Sequence, residues 1–247
     1  MRYLVLSDIH GNLEALDAVL GAAGVRGYER VLVLGDLVGY GADPNAVIER
    51  IRALEPAAVI RGNHDKVAAG VEDADGFNTI ARDAVSWTML ALSPENASYL
   101  AALPVGPIVI DELIEICHGT PFDEDAYVFD ELDALRAIEA ATRPLCLFGH
   151  THIPVVFTRS GDGLAVDTAE GEALFTVTIR DHCRYLINTG SVGQPRDGDP
   201  RAACGIADTV ARKVELLRVE YPVATAQQKV LAAGLPDVLA RRLALGR

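Results

Sequence analysis

Four short apolar runs in the first 152 residues each break into a polar cluster. Tyr3-Leu4-Val5-Leu6 leads into Ser7-Asp8-Ile9-His10-Gly11-Asn12, and Val31-Leu32-Val33-Leu34 into Gly35-Asp36. Ala58-Val59-Ile60 leads into Arg61-Gly62-Asn63-His64-Asp65, and Leu145-Cys146-Leu147-Phe148 into Gly149-His150-Thr151-His152. Runs that are apolar at every position, rather than at every second one, predict strands buried on both faces. Amphipathic stretches over 13–23 and 44–54 predict helices between them, with Pro44 suited to a first helical turn. This alternation predicts an α/β sheet with parallel pairs.

Further along, Ile80, Ala84, Trp87 and Ala91 recur at helical spacing within 78–103, a region that Pro94 divides into two helices. Residues 107–117 read as a hairpin ending at His118, and 131–141 as another helix. After 152 the pattern changes. Segments 153–159, 173–179, 184–188, 203–208 and 213–219 are short, β-rich and joined by Gly, Asp and Pro turns, which predicts a second sheet. The tail 223–245 reads as helical, interrupted near Gly234-Leu235-Pro236. With no internal repeat, low-complexity run or linker, residues 1–247 read as one domain.

Half of the 247 residues are hydrophobic, enough to bury a substantial core. No window approaches the eighteen consecutive apolar residues of a membrane span. The apolar run at the N-terminus turns polar at Ser7, too early for a signal-peptide core, so a soluble cytoplasmic protein with no membrane partner is expected. Cys117, Cys146, Cys183 and Cys204 are widely spaced and read as buried free thiols. The net charge of −13 argues against long nucleic acid as a partner, since sequence-independent binding needs a lysine and arginine footprint. It leaves a small phosphorylated substrate or a phosphopeptide open, because a bound metal sets the local charge of a pocket.

Of six histidines, His10, His64, His118, His150 and His152 lie at predicted strand ends, and only His182 does not. In open α/β sheets ligands bind outside the carboxyl ends of the strands. Asp8 and His10 are two residues apart, as are His150 and His152, and on an extended backbone residues i and i+2 face the same side. With Asp36, Asn63 and His118 they make seven candidate metal ligands. Seven exceed a tetrahedral site and suit two ions about 3.5–4 Å apart that share a carboxylate.

Asp-x-His, Gly-Asp, Gly-Asn-His-Asp, a later single His and Gly-His-x-His, in this order over residues 8–152, resemble the calcineurin-like metallophosphoesterases. The segments 117–120 and 188–198 are similar to a prokaryotic branch related to diadenosine-tetraphosphatases and small protein phosphatases. The resemblance implies a four-layer αββα sandwich of two mixed β-sheets flanked by helices, with the metal site at the carboxyl ends of the strands. It implies that Asp8, His10 and His152 hold one metal, that Asn63, His118 and His150 hold the other, and that Asp36 bridges. Two imidazoles per ion favour manganese, iron or zinc over magnesium. The chemistry it implies is attack of a metal-bridging hydroxide on phosphorus. His64 is then a non-ligand, acting as general acid or as a hydrogen-bond donor to the phosphoryl group, with Asp65 holding its ring and raising its pKa. Gly62 is expected to allow a tight turn off the strand.

Arg61 and Arg196 are candidate phosphate-binding residues, set against solvated surface arginines. Asn12 reads as a helix cap, His182 as a surface turn residue and Trp87 as core. Within the hydrolase reading, phosphomonoesters, phosphodiesters and dinucleoside polyphosphates compete as substrates. A reading of another class, a catalytically inactive metal-binding scaffold, is disfavoured because all seven ligands and His64 are retained.

Overall fold

The computed structural model describes residues 1–161 and 163–247. In its first half β1 (Arg2–Leu6), α1 (Leu13–Arg26), β2 (Arg30–Val33), α2 (Pro44–Arg52), β3 (Ala58–Val59) and α3 (Asn63–Ala68) come in turn. They are followed by α4 (Thr79–Ala91), α5 (Pro94–Ala101), β4 (Ile108–Val109), β5 (Ile114–Ile116) and α6 (Glu131–Ala140). The second half contains β6 (Leu145–Phe148), β7 (Val155–Ser160), β8 (Gly163–Thr168), β9 (Leu174–Thr178) and β10 (Cys183–Asn188). It ends with β11 (Ala202–Asp208), β12 (Lys213–Val219), α7 (Val223–Ala232) and α8 (Asp237–Leu245).

The strands form two mixed six-stranded sheets, ordered β3-β2-β1-β11-β12-β9 and β4-β5-β6-β10-β7-β8. Within them β1, β2 and β3 run parallel, as do β5, β6 and β10. The apolar runs are continuous because both faces of these strands are covered. Tyr3 and Val5 of β1 and Leu32 of β2 meet Ile114, Ile116, Leu145 and Ile187 of the other sheet. Leu4, Leu6 and Val33 point the opposite way, against Leu16, Val19 and Ile48 of the helices. On the far side Cys146, Phe148 and Leu186 pack on Ala134, Ala137 and Ile138 of α6. This is the four-layer αββα sandwich.

Two elements were not legible in the pattern. α3 has six residues, too few to display a helical period. β8 is an edge strand whose side chains are mostly exposed, so burial imposes no alternation on it. Among the described residues no helix is long and apolar enough to cross a membrane. The four cysteines are free, and Cys117, Cys146 and Cys204 are buried.

Candidate metal centre

The site is built where the parallel strands end. Pairing between β1 and β2 continues into their loops: Leu34 N donates to Leu6 O (2.8 Å), Asp8 N to Gly35 O (3.1 Å) and His10 N to Asp36 O (2.9 Å). Asp8, His10 and Asp36 therefore face one another. The other sheet brings His118 after β5 and His150 and His152 after β6, with Gly149 N donating to His118 O (2.9 Å).

The i, i+2 spacing works by a different geometry from the extended one expected. Asp8 (φ 53°), His10 (φ 49°), Asp36 (φ 53°), His150 (φ 67°) and His152 (φ 62°) all lie in the left-handed region. Non-glycine residues there are uncommon and cost free energy, and clusters of them mark functional sites. The chain has already left the strand, and left-handed residues turn both side chains of each pair inward.

All seven candidate ligands are brought together. Donor atoms of Asp8, His10, Asp36 and His152 lie within 4.8 Å of one another, as do those of Asp36, His118 and His150, so the two groups meet at Asp36. Asp36 Oδ2 is 3.5 Å from His10 Nε2 and 3.6 Å from His118 Nε2. Asp8 Oδ1 is 3.4 Å from His152 Nε2, and Asn63 Oδ1 is 3.3 Å from His118 Nε2.

Backbone carbonyls decide which ring nitrogens face the cluster. Val38 O accepts from His10 Nδ1 (2.9 Å), Leu34 O from His118 Nδ1 (2.7 Å) and Gln194 O from His152 Nδ1 (2.6 Å). A carbonyl only accepts, so each Nδ1 carries the hydrogen and each Nε2 presents a lone pair. Yet His10 Nε2 and His152 Nε2 stand 3.1 Å apart. Two lone pairs at that distance repel unless a cation lies between or beside them, which is the donor chemistry of a metal site. His150 uses the other tautomer: its Nε2 donates to Asp125 O (3.1 Å), leaving Nδ1 for the cluster.

The electrostatics agree. Without a cation, burial pushes Asp8 up to about 7, with the Asp36 charge adding to the rise. Burial, then the Asp65 charge, raises Asp36 well above the usual carboxylate range. Burial holds His10, His64, His150 and His152 well below their ordinary value, so these imidazoles are neutral.

Three expectations need correction. First, Asp65 does not hold the His64 ring. Its Oδ2 accepts from Gly62 N (3.0 Å) and its Oδ1 from Val38 N (3.2 Å), tying α3 to the loop after β2. The His64 ring instead packs among Tyr40, His10 and Phe77, with ring centroids 4.4, 5.0 and 4.6 Å away, and its buried Nδ1 has no partner among the described residues. Its pKa is lowered rather than raised. Second, Arg61 is not turned towards the ligands: its Nε and Nη2 form a fork to Glu124 (3.1 and 2.8 Å). Third, Gly62 (φ −105°) is extended and makes no tight turn. It is needed for close approach, since a Cβ there would overlap the Asp36 carboxylate. His64 N donates to that carboxylate (Oδ1, 2.9 Å), which joins Asn63 and His64 to Asp36 through the start of α3.

Arg196, unlike Arg61, lines the space beside the cluster. Its guanidinium carbon lies 5.7 Å from the Tyr40 ring centroid, and its Nη2 donates to Gln194 Oε1 (3.0 Å). Asn12 caps α1, accepting from Ala15 N (3.1 Å), and also donates to Gly193 O (2.9 Å). His182 is exposed with φ 63°, and Trp87 packs against the cluster around α4 and α8. Sequence reasoning missed Ser7, which donates to Asp8 Oδ2 (2.7 Å), Ser191, which donates to Asp8 O (2.7 Å), and Tyr127, whose ring covers His150 at 3.8 Å. Ser191 and Tyr127 carry no local signal, because each is placed by a contact with another segment, whereas Ser7 bonds its own neighbour Asp8. A pocket of about 200 Å³ opens above the cluster, walled by Asn63, His64, Phe77, Tyr127 and His150.

The chain belongs to the calcineurin-like phosphoesterase superfamily, whose domain model matches residues 1–212. It is a metallophosphoesterase in fold and in its clustered metal-ligating side chains. An uncharacterized protein of Methanocaldococcus jannaschii, MJ0912, is 39% identical over 248 residues, covering 98% of this chain and 97% of the relative. A metallophosphoesterase from Sphaerobacter thermophilus has a crystal structure 38% identical in sequence, with a TM-score of 0.87 over 100% of this chain and 99% of that one. The hypothetical protein PH1004 from Pyrococcus horikoshii OT3 shares the fold at 22% identity, with a TM-score of 0.80 over 100% and 98% of the two chains.

Proposed function

We propose that this protein hydrolyses phosphate esters with two divalent ions, held by Asp8, His10 and His152 on one side and by Asn63, His118 and His150 on the other, with Asp36 between them. The observation that carries this reading is the pair of donor sets meeting at Asp36, with unprotonated imidazole nitrogens facing each other at 3.1 Å. Manganese, iron or zinc suits these nitrogen-rich sets better than magnesium. Bound there, the ions would supply a water of lowered pKa as nucleophile and positive charge for the phosphoryl oxygens.

The chain's own residues then orient and stabilise. His64 is buried and kept neutral, so it serves as an N–H donor to a phosphoryl oxygen rather than as an imidazolium. Asp65 is a positioning residue that fixes the turn carrying Asn63 and His64. Arg196 is the cation able to meet substrate oxygens, because Glu124 already occupies the fork of Arg61.

A groove of about 710 Å³ beyond Arg196, walled by Tyr127, Phe129, Ile153, Phe157 and Val166, favours a second, narrower reading. Such a wall suits the apolar part of a diester or of a nucleotide more than a small monoester. The test is turnover of p-nitrophenyl phosphate and its bis ester by protein loaded with manganese, zinc or iron. Hydrolysis of at least one is expected; no turnover of either with any metal overturns the hydrolase reading. Faster turnover of the bis ester is the outcome that supports the narrower one.

A further inference from the structure

Beside the metal pocket lies a second one of about 560 Å³, lined by Arg196, Arg241, Arg242 and Arg247 together with Tyr40 and Tyr127. No Asp or Glu is among its lining residues, although the chain carries a net charge of −13. Among the described residues none of these four arginines is ion-paired, whereas nine others are. Tyr40 and Tyr127 also wall the pocket above His64 and His150, so the two spaces adjoin. Arg241 and Arg242 come from α8, more than eighty residues beyond the last candidate ligand in the chain.

Guanidinium groups gathered in a pocket whose wall has no Asp or Glu repel one another, and an anion relieves that repulsion. Their planar forks match phosphate oxygens, and low-dielectric walls focus their field. We propose that the arginine pocket binds a second phosphate of the same substrate whose first phosphate meets the metal centre. The substrate class is therefore a compound with at least two phosphoryl groups in a row. As a statement about substrate this rests on the phosphoesterase reading; as a statement about anion binding it does not.

Calorimetric titration with inorganic tripolyphosphate and with orthophosphate tests it, on metal-loaded and on chelator-treated protein. The expected result is that tripolyphosphate binds the metal-loaded protein at least about tenfold more tightly than orthophosphate does. Arg241→Gln/Arg242→Gln should remove that advantage, and Arg241→Lys/Arg242→Lys should keep part of it. In steady-state kinetics the ratio of KM for tripolyphosphate to KM for p-nitrophenyl phosphate should rise in the glutamine variant. Near-ultraviolet circular dichroism checks its fold. If it fails to fold, the lysine variant and the salt dependence of the wild-type affinity decide: a flat salt profile overturns the pocket.

Equal tripolyphosphate affinity in the wild type and the folded glutamine variant overturns the proposal even if esters are turned over. Equal affinity for orthophosphate and tripolyphosphate overturns the two-phosphate reading in favour of a free anion. Variant-sensitive tripolyphosphate binding with no ester hydrolysis leaves the pocket standing and sinks only the phosphoesterase reading.

Discussion

Asp8 and Arg196 lie near enough for the arginine's charge to act on the carboxyl, but they are held in opposite ways. Asp8 is fully buried, sits on a left-handed backbone, and receives hydrogen bonds from Ser7 Oγ and from His150 N. The other candidate ligands are similarly over-determined, four of their rings being pinned by backbone carbonyls. Arg196 is half-buried and touches mainly Gln194 and the face of Tyr40, and Arg241 and Arg242 on the opposite bank have no ion-pair partner among the described residues. The difference teaches where rigidity is needed. Metal ligands must be fixed to within fractions of an ångström, so strained backbone is tolerated there. Residues that greet a substrate work from exposed or half-exposed positions, where a long side chain adapts.

Four perturbations press on this contrast. The largest effect is expected in the rigid half. Asp36→Ala should empty both metal positions and lower kcat/KM by about 10⁴-fold, about 5 kcal/mol of barrier, whereas His150→Ala should cost one ion per chain. Metal analysis of protein purified without chelator reads this out; two ions retained by the Asp36 variant would dissolve the shared-carboxylate arrangement.

His64→Ala comes next. Metal content should stay intact while kcat falls about 10²-fold, to the same extent for p-nitrophenolate and for a poor leaving group. A loss concentrated on the poor leaving group would make His64 a proton donor after all.

In the adaptable half, Arg196→Ala should raise KM about tenfold, roughly 1.4 kcal/mol of binding. Arg61→Ala should change kcat/KM by less than about fivefold, since it breaks an ion pair with Glu124 rather than a substrate contact. If Arg61 proved the more damaging of the two, the assignment of the clamp would be reversed.

The last effect is in pH. Asp8 without metal is raised from 3.8 to about 7, while the cluster imidazoles His10, His150 and His152 are already neutral. Below about pH 7 an incoming ion must displace the Asp8 proton, and above it the carboxylate is ready. Manganese affinity should therefore rise with pH through that window, by at most about tenfold per unit for one proton. The sign for stability is opposite: the metal-free fold gives up the contribution of protonated Asp8 as pH climbs towards about 7. Titration of chelated protein at pH 6 and 8, in buffers of differing ionisation heat, should show weaker binding and greater proton release at pH 6. Identical affinities would remove Asp8 from the proton balance.

The αββα layering followed from the family resemblance, whereas the chain's own pattern determined the parallel strands, most helices and the seven candidate donors at strand ends. Those features are legible because they rest on local periodicity and on the chemistry of a few residue types in order. Tertiary structure alone decided the rest. It paired Arg61 with Glu124, sixty-three residues away, and took Asp65 for the amides of Gly62 and Val38 instead of the His64 ring. It turned the ligand pairs inward through left-handed backbone, and it carried Arg241 and Arg242 of α8 to the edge of a cleft built from β1, β2, β5 and β6. A side chain's composition says what it is able to bind. Which partner it meets depends on how distant segments pack, and no spacing along the chain encodes that distance.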